Sequence, residues 1–291
     1  MTCQAEQYAG WYLVAFVDIL GQAQLLRQMR GLPNKANQNQ MKEFADLLKK
    51  TLRTVKDLRD RFTKFFEGAN KKHRDVSGLT PEQRRLYARS KSNPLKSHMF
   101  SDFVVLFLSL RDDMNKVPMS GVYSALTSAA SSFLTMLAQG QAIRGGIDVG
   151  IAVELSEHEI YGSALSRAYE LESNTAHYPR IVLGEELVKY IQYQRALPEV
   201  DIFATMNKRV AALCANLIAI DDDGVPILDY LGDGFRQDVA RAVDSTLVKR
   251  GYDFIIQESA KYQANKNSVL AFRYTLLRNY FEHRMPSWGL A

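Results

Sequence analysis

Apolar residues fall along the chain in short clusters whose spacing changes from one segment to the next. From Tyr12 to Val17 they run almost without interruption, rich in aromatic and β-branched types, and stop at Asp18 and then Gly21. That pattern predicts a buried strand entering a turn, with a helix from about Gln22. From Met41 to Phe66 the spacing becomes helical: Phe44, Leu47, Leu48, Leu52, Val55, Leu58, Phe62 and Phe65 make a stripe among Lys, Arg and Asp, as one long amphipathic helix would.

Residues 68–95 are polar and broken by Gly and Pro, which reads as a loop with a turn of helix after Thr80. Ser97–Phe100 and Phe103–Leu110 follow as a hairpin with Asp102 near the bend. An Ala, Ser and Leu-rich helix over Val122–Leu137 precedes a glycine-containing strand over Ile143–Val153, and a helix over Ala164–Glu172 follows the Gly162 turn. Farther on come a strand at Ile181–Leu183, a helix over Glu185–Gln194, and a hairpin whose arms flank DDDGVP. The end reads as two helices, about Phe235–Gln263 and Ser268–Glu282. Strand, helix, hairpin, helix, strand is the order of an α+β sandwich with helices on one face of a mostly antiparallel sheet. The reading divides it into a domain over 9–200, carrying a basic helical insertion at about 38–95, and a hairpin and helical extension over 201–291.

Composition narrows the class. With 291 residues, 46% of them hydrophobic, the chain can bury a substantial core. The longest apolar run, Phe103 to Leu108, is far short of a membrane span, and no leader-like pattern opens the sequence, so the expected setting is cytoplasmic. Cys3 and Cys214 lack metal-ligand spacing and read as free thiols. Net charge is only +5, but residues 1–100 hold 19 Lys/Arg against 9 Asp/Glu. Most of that excess sits between Lys42 and Lys96 on what reads as a solvated helical face, and no nucleic-acid recognition signature accompanies it, so no specific nucleic-acid binding is expected.

The chemistry rests on two aspartates in apolar surroundings. A buried carboxylate is costly unless paired or metal-bound, and Asp18 at a strand end and Asp102 in an apolar hairpin can lie side by side. Two such carboxylates suit a pair of hard divalent cations, the usual arrangement for displacement at phosphorus. No glycine-rich loop ending in Lys-Ser/Thr is present, which sets aside a P-loop kinase.

Here the sequence resembles the class III nucleotidyl cyclases. AFVDILGQ is similar to their first metal-binding strand and phosphate loop, and HMFSDFVVLF to their second metal hairpin, with Ser101 in place of the usual glycine. IRGGIDVGIAV, EIYGSALSRAYELE and PRIVLGEEL resemble the central strand, the base-selecting and transition-state segment, and the strand and helix that follow. The five segments keep the family's order over residues 9–190. Gly145-Gly146 is followed by Ile147 and Asp148, unlike the signature of diguanylate cyclases.

The resemblance implies a ferredoxin-like cyclase fold, two Mg²⁺ or Mn²⁺ ions held by Asp18 and Asp102 with the Ile19 backbone, and phosphates met by Ile19, Leu20 and Gly21. It also implies a homodimer with active sites at the interface. The departures are specific: His98 stands where purine cyclases have a base-reading lysine, and Glu159 where they have an aspartate. Ser166 and Glu170 stand where they have the transition-state asparagine and arginine, and Arg167 is the nearest candidate to supply the lost charge. A metal pair retained beside altered base positions resembles the pyrimidine cyclases of bacterial Pycsar antiphage systems. That likeness implies a uridylate cyclase (UTP to cyclic UMP) serving a separately encoded effector, with CTP, ATP or GTP as alternative substrates and a non-catalytic nucleotide-binding pseudo-cyclase as a different class.

Overall fold

The computed structural model describes residues 9–71, 80–89, 93–111, 118–156, 159–239 and 244–290. Residues 72–79 and 90–92 of the loop expected at 68–95, and Cys3, lie outside them.

The first strand, β1 (Gly10–Ile19), is buried on both faces, which is why its sequence is nearly continuous in apolar residues. Leu13, Ala15, Val17 and Ile19 face one side, and Tyr12, Val14 and Phe16 the other. After a short helix, α1 (Gln22–Leu26), comes the long helix α2 (Gln38–Lys71), then α3 (Pro81–Arg89) and the hairpin β2 (Lys96–Met99) and β3 (Phe103–Ser109). Helix α4 (Met119–Ala138) leads to the long strand β4 (Ile143–Ser156). The strands run in the order β2-β3-β1-β4, and all three pairings are antiparallel. With α2 and α4 against the same face, this is a ferredoxin-like βαββαβ unit. Helix α2, read from sequence as part of an insertion, supplies its first crossover: Val55, Leu58, Phe62 and Phe66 are buried in the core, while residues 38–50 are mostly exposed.

Helix α4 has almost no solvent face. Its Ala and Ser residues let α2 and the later helices α7 (Ile202–Ala215) and α9 (Ser245–Ala264) approach closely. Two of its buried hydroxyls are satisfied within the helix, Thr127 and Ser128 donating to the carbonyls of Tyr123 and Ser124.

Beyond β4 the chain forms β5 (Glu159–Gly162), a hairpin partner of β4, and α5 (Ser163–Glu170), continued by a π-helical turn over Leu171–Thr175. Strand β6 (Ile181–Leu183), parallel to β4, is followed by α6 (Glu185–Ala196) and by the hairpin β7 (Ile218–Ile220) and β8 (Pro226–Leu228). Val182 pairs with Ile227, so the C-terminal hairpin extends the same eight-stranded sheet. Helices α8 (Asp233–Val239) and α10 (Ser268–Arg284) complete the chain with a short 3₁₀ turn at Met285–Trp288.

Three expectations change. Helices do not cover one face alone: α5 lies on the opposite face, where Ala164 and Ala168 pack on Tyr12, Val14 and Phe16. The helix expected over 235–263 is two, because the Asp244 carboxylate accepts from the Leu247 N–H and starts α9 afresh. Helix α7, missed in the sequence, is capped in the same way by Asp201, which accepts from the Ala204 N–H at 2.7 Å.

Candidate functional site

The penultimate residue of β1 is Asp18, opposite Phe103 of β3 on one side and Arg144 of β4 on the other. Because side chains alternate along a strand, Asp18 shares the α5 face with Phe16. Asp102 sits in the turn between β2 and β3. The Ile19 N–H donates to the Asp102 carbonyl at 2.9 Å, tying the end of β1 to that turn. Ser101 donates its hydroxyl to Asp102 Oδ1 at 3.1 Å.

Past Ile19 the chain turns sharply. Gly21 takes the left-handed conformation at φ 83° and stands at the N-terminal boundary of α1, a backbone shape a side chain would strain. The Leu20 N–H bonds the Ala142 carbonyl, and the Gln141 side chain donates to the Leu20 carbonyl. Buried Gln22 donates to the carbonyls of Thr51 and Ser101. The turn is thus held against α2, β4 and the Asp102 turn together.

Two further groups complete the cluster, and the sequence reading assigned neither. Arg144 donates through Nε to Glu172 Oε1 at 2.6 Å, and its Nη2 lies 3.9 Å from Asp18 Oδ2. Glu172 is carried in by the π turn and is almost wholly buried. The close approach of that turn depends on Gly146: a Cβ there would stand 2.3 Å from the Ala168 carbonyl oxygen and 2.6 Å from Leu171 Cβ. A buried arginine-glutamate pair between a strand and a helix end leaves no local spacing signal. The one available cue was Arg144 itself, a charge inside an apolar strand.

Burial raises the Asp18 carboxyl to about 6, Glu172 adds to the rise, Arg144 opposes it, and Asp102 adds a little more. Burial likewise raises Glu172, with Arg144 holding it down. Negative charge therefore exceeds what Arg144 neutralises. A divalent cation would relieve that excess, and the two aspartates offer the oxygen donors that Mg²⁺ and Mn²⁺ take. Among the described residues, no three acidic, histidine or cysteine side chains form a complete cage. A pair of carboxylates that leaves places for phosphate oxygens is the mode expected of Mg²⁺ with nucleotides.

Aromatic rings extend from this cluster. Phe100 and Phe103 stack across the turn at 4.2 Å, Phe16 stacks on Phe103 at 4.6 Å, and Tyr169 meets Phe16 edge-on. His98, on β2 opposite Val105, tilts against Phe100 with ring centroids 4.3 Å apart.

The remaining candidates lie elsewhere in the chain. Glu159 is exposed on β5 opposite Ser156, at the far end of β4 from Arg144, and accepts from the Ser156 hydroxyl. Ser166 is exposed on α5. Arg167 is turned into the sheet: Nε donates to the buried Asp148 at 2.9 Å and Nη2 to the Val149 carbonyl at 2.6 Å. Asp148 also accepts from the Leu187 N–H at the start of α6. Asp148 is four residues along β4 from Arg144, about 13 Å at strand spacing. One chain therefore brings Asp18, Asp102, Ile19, Leu20, Gly21 and His98 into one region and leaves Glu159 apart from them.

No protein-family model and no curated protein matches the chain. Among solved structures it is similar to the catalytic core of a rhodopsin-guanylyl cyclase with converted specificity in complex with ATPαS, at 15% identity and TM-score 0.35 over 65% of this chain and 86% of that one. It is also similar to the guanylyl cyclase domain of the RhoGC fusion protein from the aquatic fungus Blastocladiella emersonii, at 14% identity and TM-score 0.33 over 65% of this chain and 88% of that one.

Proposed function

We propose that the chain is a class III nucleotidyl cyclase that closes UTP into 3′,5′-cyclic UMP with release of pyrophosphate. The observation that carries the reading is the Ile19 to Asp102 backbone bond, which sets two carboxylates at one strand end beside a left-handed glycine turn. In the reaction the ribose 3′ oxygen bonds the α-phosphorus, the bond from that phosphorus to the β-phosphate oxygen breaks, and the hydroxyl proton is lost. Two Mg²⁺ or Mn²⁺ ions, when bound, supply acidification of the 3′ hydroxyl and neutralisation of phosphate charge. Asp18 and Asp102 would hold them, and the backbone at Gly21 would meet the phosphates; the Ile19 and Leu20 N–H groups, expected to share that task, are given to the Asp102 and Ala142 carbonyls.

The separation of Glu159 from the aspartates supports a site built from two chains. In a homodimer one chain contributes the aspartates and its partner Glu159 and Ser166, as the family resemblance implies. The bonds of Arg167 to Asp148 and Val149 favour a role in fixing α5, with Ser166 left to face substrate. Uracil is preferred because His98 and Glu159 replace the residues with which the resembling cyclases read purines; Glu159 can accept from uracil N3–H. Following the same resemblance, cyclic UMP serves as a messenger to a separate effector in antiphage defence. CTP is the nearest alternative substrate, with ATP and GTP behind it. Ser166 and Glu170 also favour a second reading, a pseudo-cyclase that binds a triphosphate without turning it over.

Separate incubations with UTP, CTP, ATP and GTP plus Mn²⁺, with identification of the cyclic product, decide among these. Cyclic UMP as the main product supports the proposal. Triphosphate binding without pyrophosphate release selects the pseudo-cyclase.

A further inference from the structure

Arg144 is placed as a cation shared by two carboxylates. Its Nε and Nη2 both reach Glu172 Oε1, at 2.6 and 2.5 Å, while Nη2 stands 3.9 Å from Asp18 Oδ2. All three side chains are largely withdrawn from water, with exposures of 16% for Arg144, 5% for Glu172 and 23% for Asp18. The register of β1 on β4 puts Arg144 directly opposite Asp18, so the guanidinium cannot leave its neighbourhood without a change of rotamer. It lies against the carboxylate that a divalent cation would use.

A guanidinium and a divalent cation cannot both lie close to one carboxylate at little cost, because their like charges repel strongly in a site shielded from water. Glu172 has no strand of its own to hold it. It is delivered by the π turn, whose closing bond runs from the Ala176 N–H to the Leu171 carbonyl at 2.8 Å, and the absence of a side chain at Gly146 lets that turn lie flat on β4. π turns recur where a helix must present a residue that ordinary winding would misplace. The group presented here is the carboxylate that draws Arg144 toward the helix side and away from Asp18.

We infer that Arg144 is a resident counter-cation for Asp18, and that Glu172 is the positioning residue that holds it clear so that a divalent cation can bind. The inference rests on the reading of Asp18 and Asp102 as metal ligands and deepens it: metal affinity is set by competition inside the chain, and the Arg144–Glu172 bond sets the outcome. With that bond lost, Arg144 closes on Asp18 and excludes the metal. With Arg144 lost, Glu172 has nothing to restrain.

The test is Mn²⁺ binding by electron paramagnetic resonance, measured in the presence of 3′-deoxy-UTP or 3′-deoxy-ATP, which lack the attacking hydroxyl and so prevent turnover. Glu172→Gln is expected to weaken Mn²⁺ binding about ten- to a hundredfold, the range found when a group that orients a metal ligand is removed. Glu172→Asp keeps the charge but shortens the reach, and is expected to weaken binding in the same direction. In an Arg144→Met background, Glu172→Gln is expected to change affinity by no more than about twofold, the limit for sites that no longer communicate. Wild-type affinity in Glu172→Asp, or a full loss from Glu172→Gln in the Arg144→Met background, would mean that Glu172 acts only through its charge and would overturn the inference. The Glu172→Asp arm keeps it open to refutation if Arg144→Met does not fold. A wild-type chain that takes up no Mn²⁺ with either analogue overturns this inference and the metal reading together. One that binds as expected but makes no cyclic product from any triphosphate overturns the cyclase reading alone.

Discussion

The Ile19 N–H and the Asp102 carbonyl oxygen meet at 2.9 Å, so two aspartates 84 positions apart in sequence are fixed side by side by the backbone that carries them. Their placement does not depend on how either side chain is occupied. Asp18→Ala and Asp102→Ala are therefore expected to fold, with melting transitions as cooperative as the wild type, and to lose cyclic product formation by about a thousandfold, which several kcal/mol of lost charge stabilisation represents. Unchanged turnover in either variant, measured with UTP and Mn²⁺, would sink the assignment.

Asp18 also makes the metal-free fold sensitive to pH. Its folded carboxyl titrates at about 6 against an ordinary 3.8, so the folded state holds the extra proton between those values. Stability is then greatest below that window and falls as pH rises through it. Asp18→Asn should be the more stable protein at pH 7, by up to about 3 kcal/mol, and should lose this pH dependence. Urea denaturation in EDTA from pH 4 to 7 measures both effects; a wild type that gains stability across that range contradicts the assignment.

Gly146→Ala tests the seat of Glu172. A methyl group there meets the Ala168 carbonyl oxygen at 2.3 Å and the Glu172 nitrogen at 2.9 Å, so either β4 or the π turn must move. A destabilisation of about 1–3 kcal/mol is expected, as for other overpacked sites. Mn²⁺ binding should weaken along with it, because Arg144 loses its partner.

A second buried ion cluster ties the DDDG loop to the end of the π turn at Thr175. Arg180 is buried and donates to Asp221, to Asp223 and to the Thr175 carbonyl, while the Tyr178 hydroxyl donates to Asp221. Removing the cation strands the carboxylates. Arg180→Met is expected to cost about 3–5 kcal/mol in urea melts. A loss below about 0.5 kcal/mol, as surface substitutions give, would show that the DDDG loop is not held by Arg180.

If the active site spans two chains, variants defective on opposite sides should complement. Asp18→Ala and Ser166→Ala proteins, each impaired alone, are expected to recover about a quarter of wild-type activity when mixed in equal amounts, since half of the dimers are then mixed and each carries one intact site. No recovery after subunit exchange, confirmed by tagged copurification, points to a site within one chain.

Much of this architecture was legible in the sequence because alternation and helical spacing follow directly from which faces are buried. β1, the β2–β3 hairpin, α4, β4 and α6 lie within a few residues of their expected bounds, and Ile181–Leu183 is a strand with the bounds the sequence indicated. Asp18 and Asp102 stood out because each is an acid in an apolar setting. Glu172 did not, since its neighbours Leu171 and Ser173 continue an ordinary helical pattern, and only three-dimensional winding turns it inward. Arg144 is a lone charge in an apolar strand, and its partners Glu172 and Asp18 are brought to it only by the fold. The second cover of the sheet was hidden for a related reason: Ala164 and Ala168 are too small to mark a buried face on their own.

The π turn at Leu171–Thr175 has one more consequence, for chain length rather than for charge. Such a turn holds one residue more than the same stretch of α-helix can, so it absorbs a spare position between α5, seated by Arg167 on Asp148, and β6, whose register on β4 begins with Ile181 opposite Gly145. Removing a single residue from Ser173–Thr175 would change no group at the site, yet it would force a choice between the two registers. The spacing of the active region is thus guarded by a surplus, and a one-residue deletion there should do more harm than most substitutions nearby.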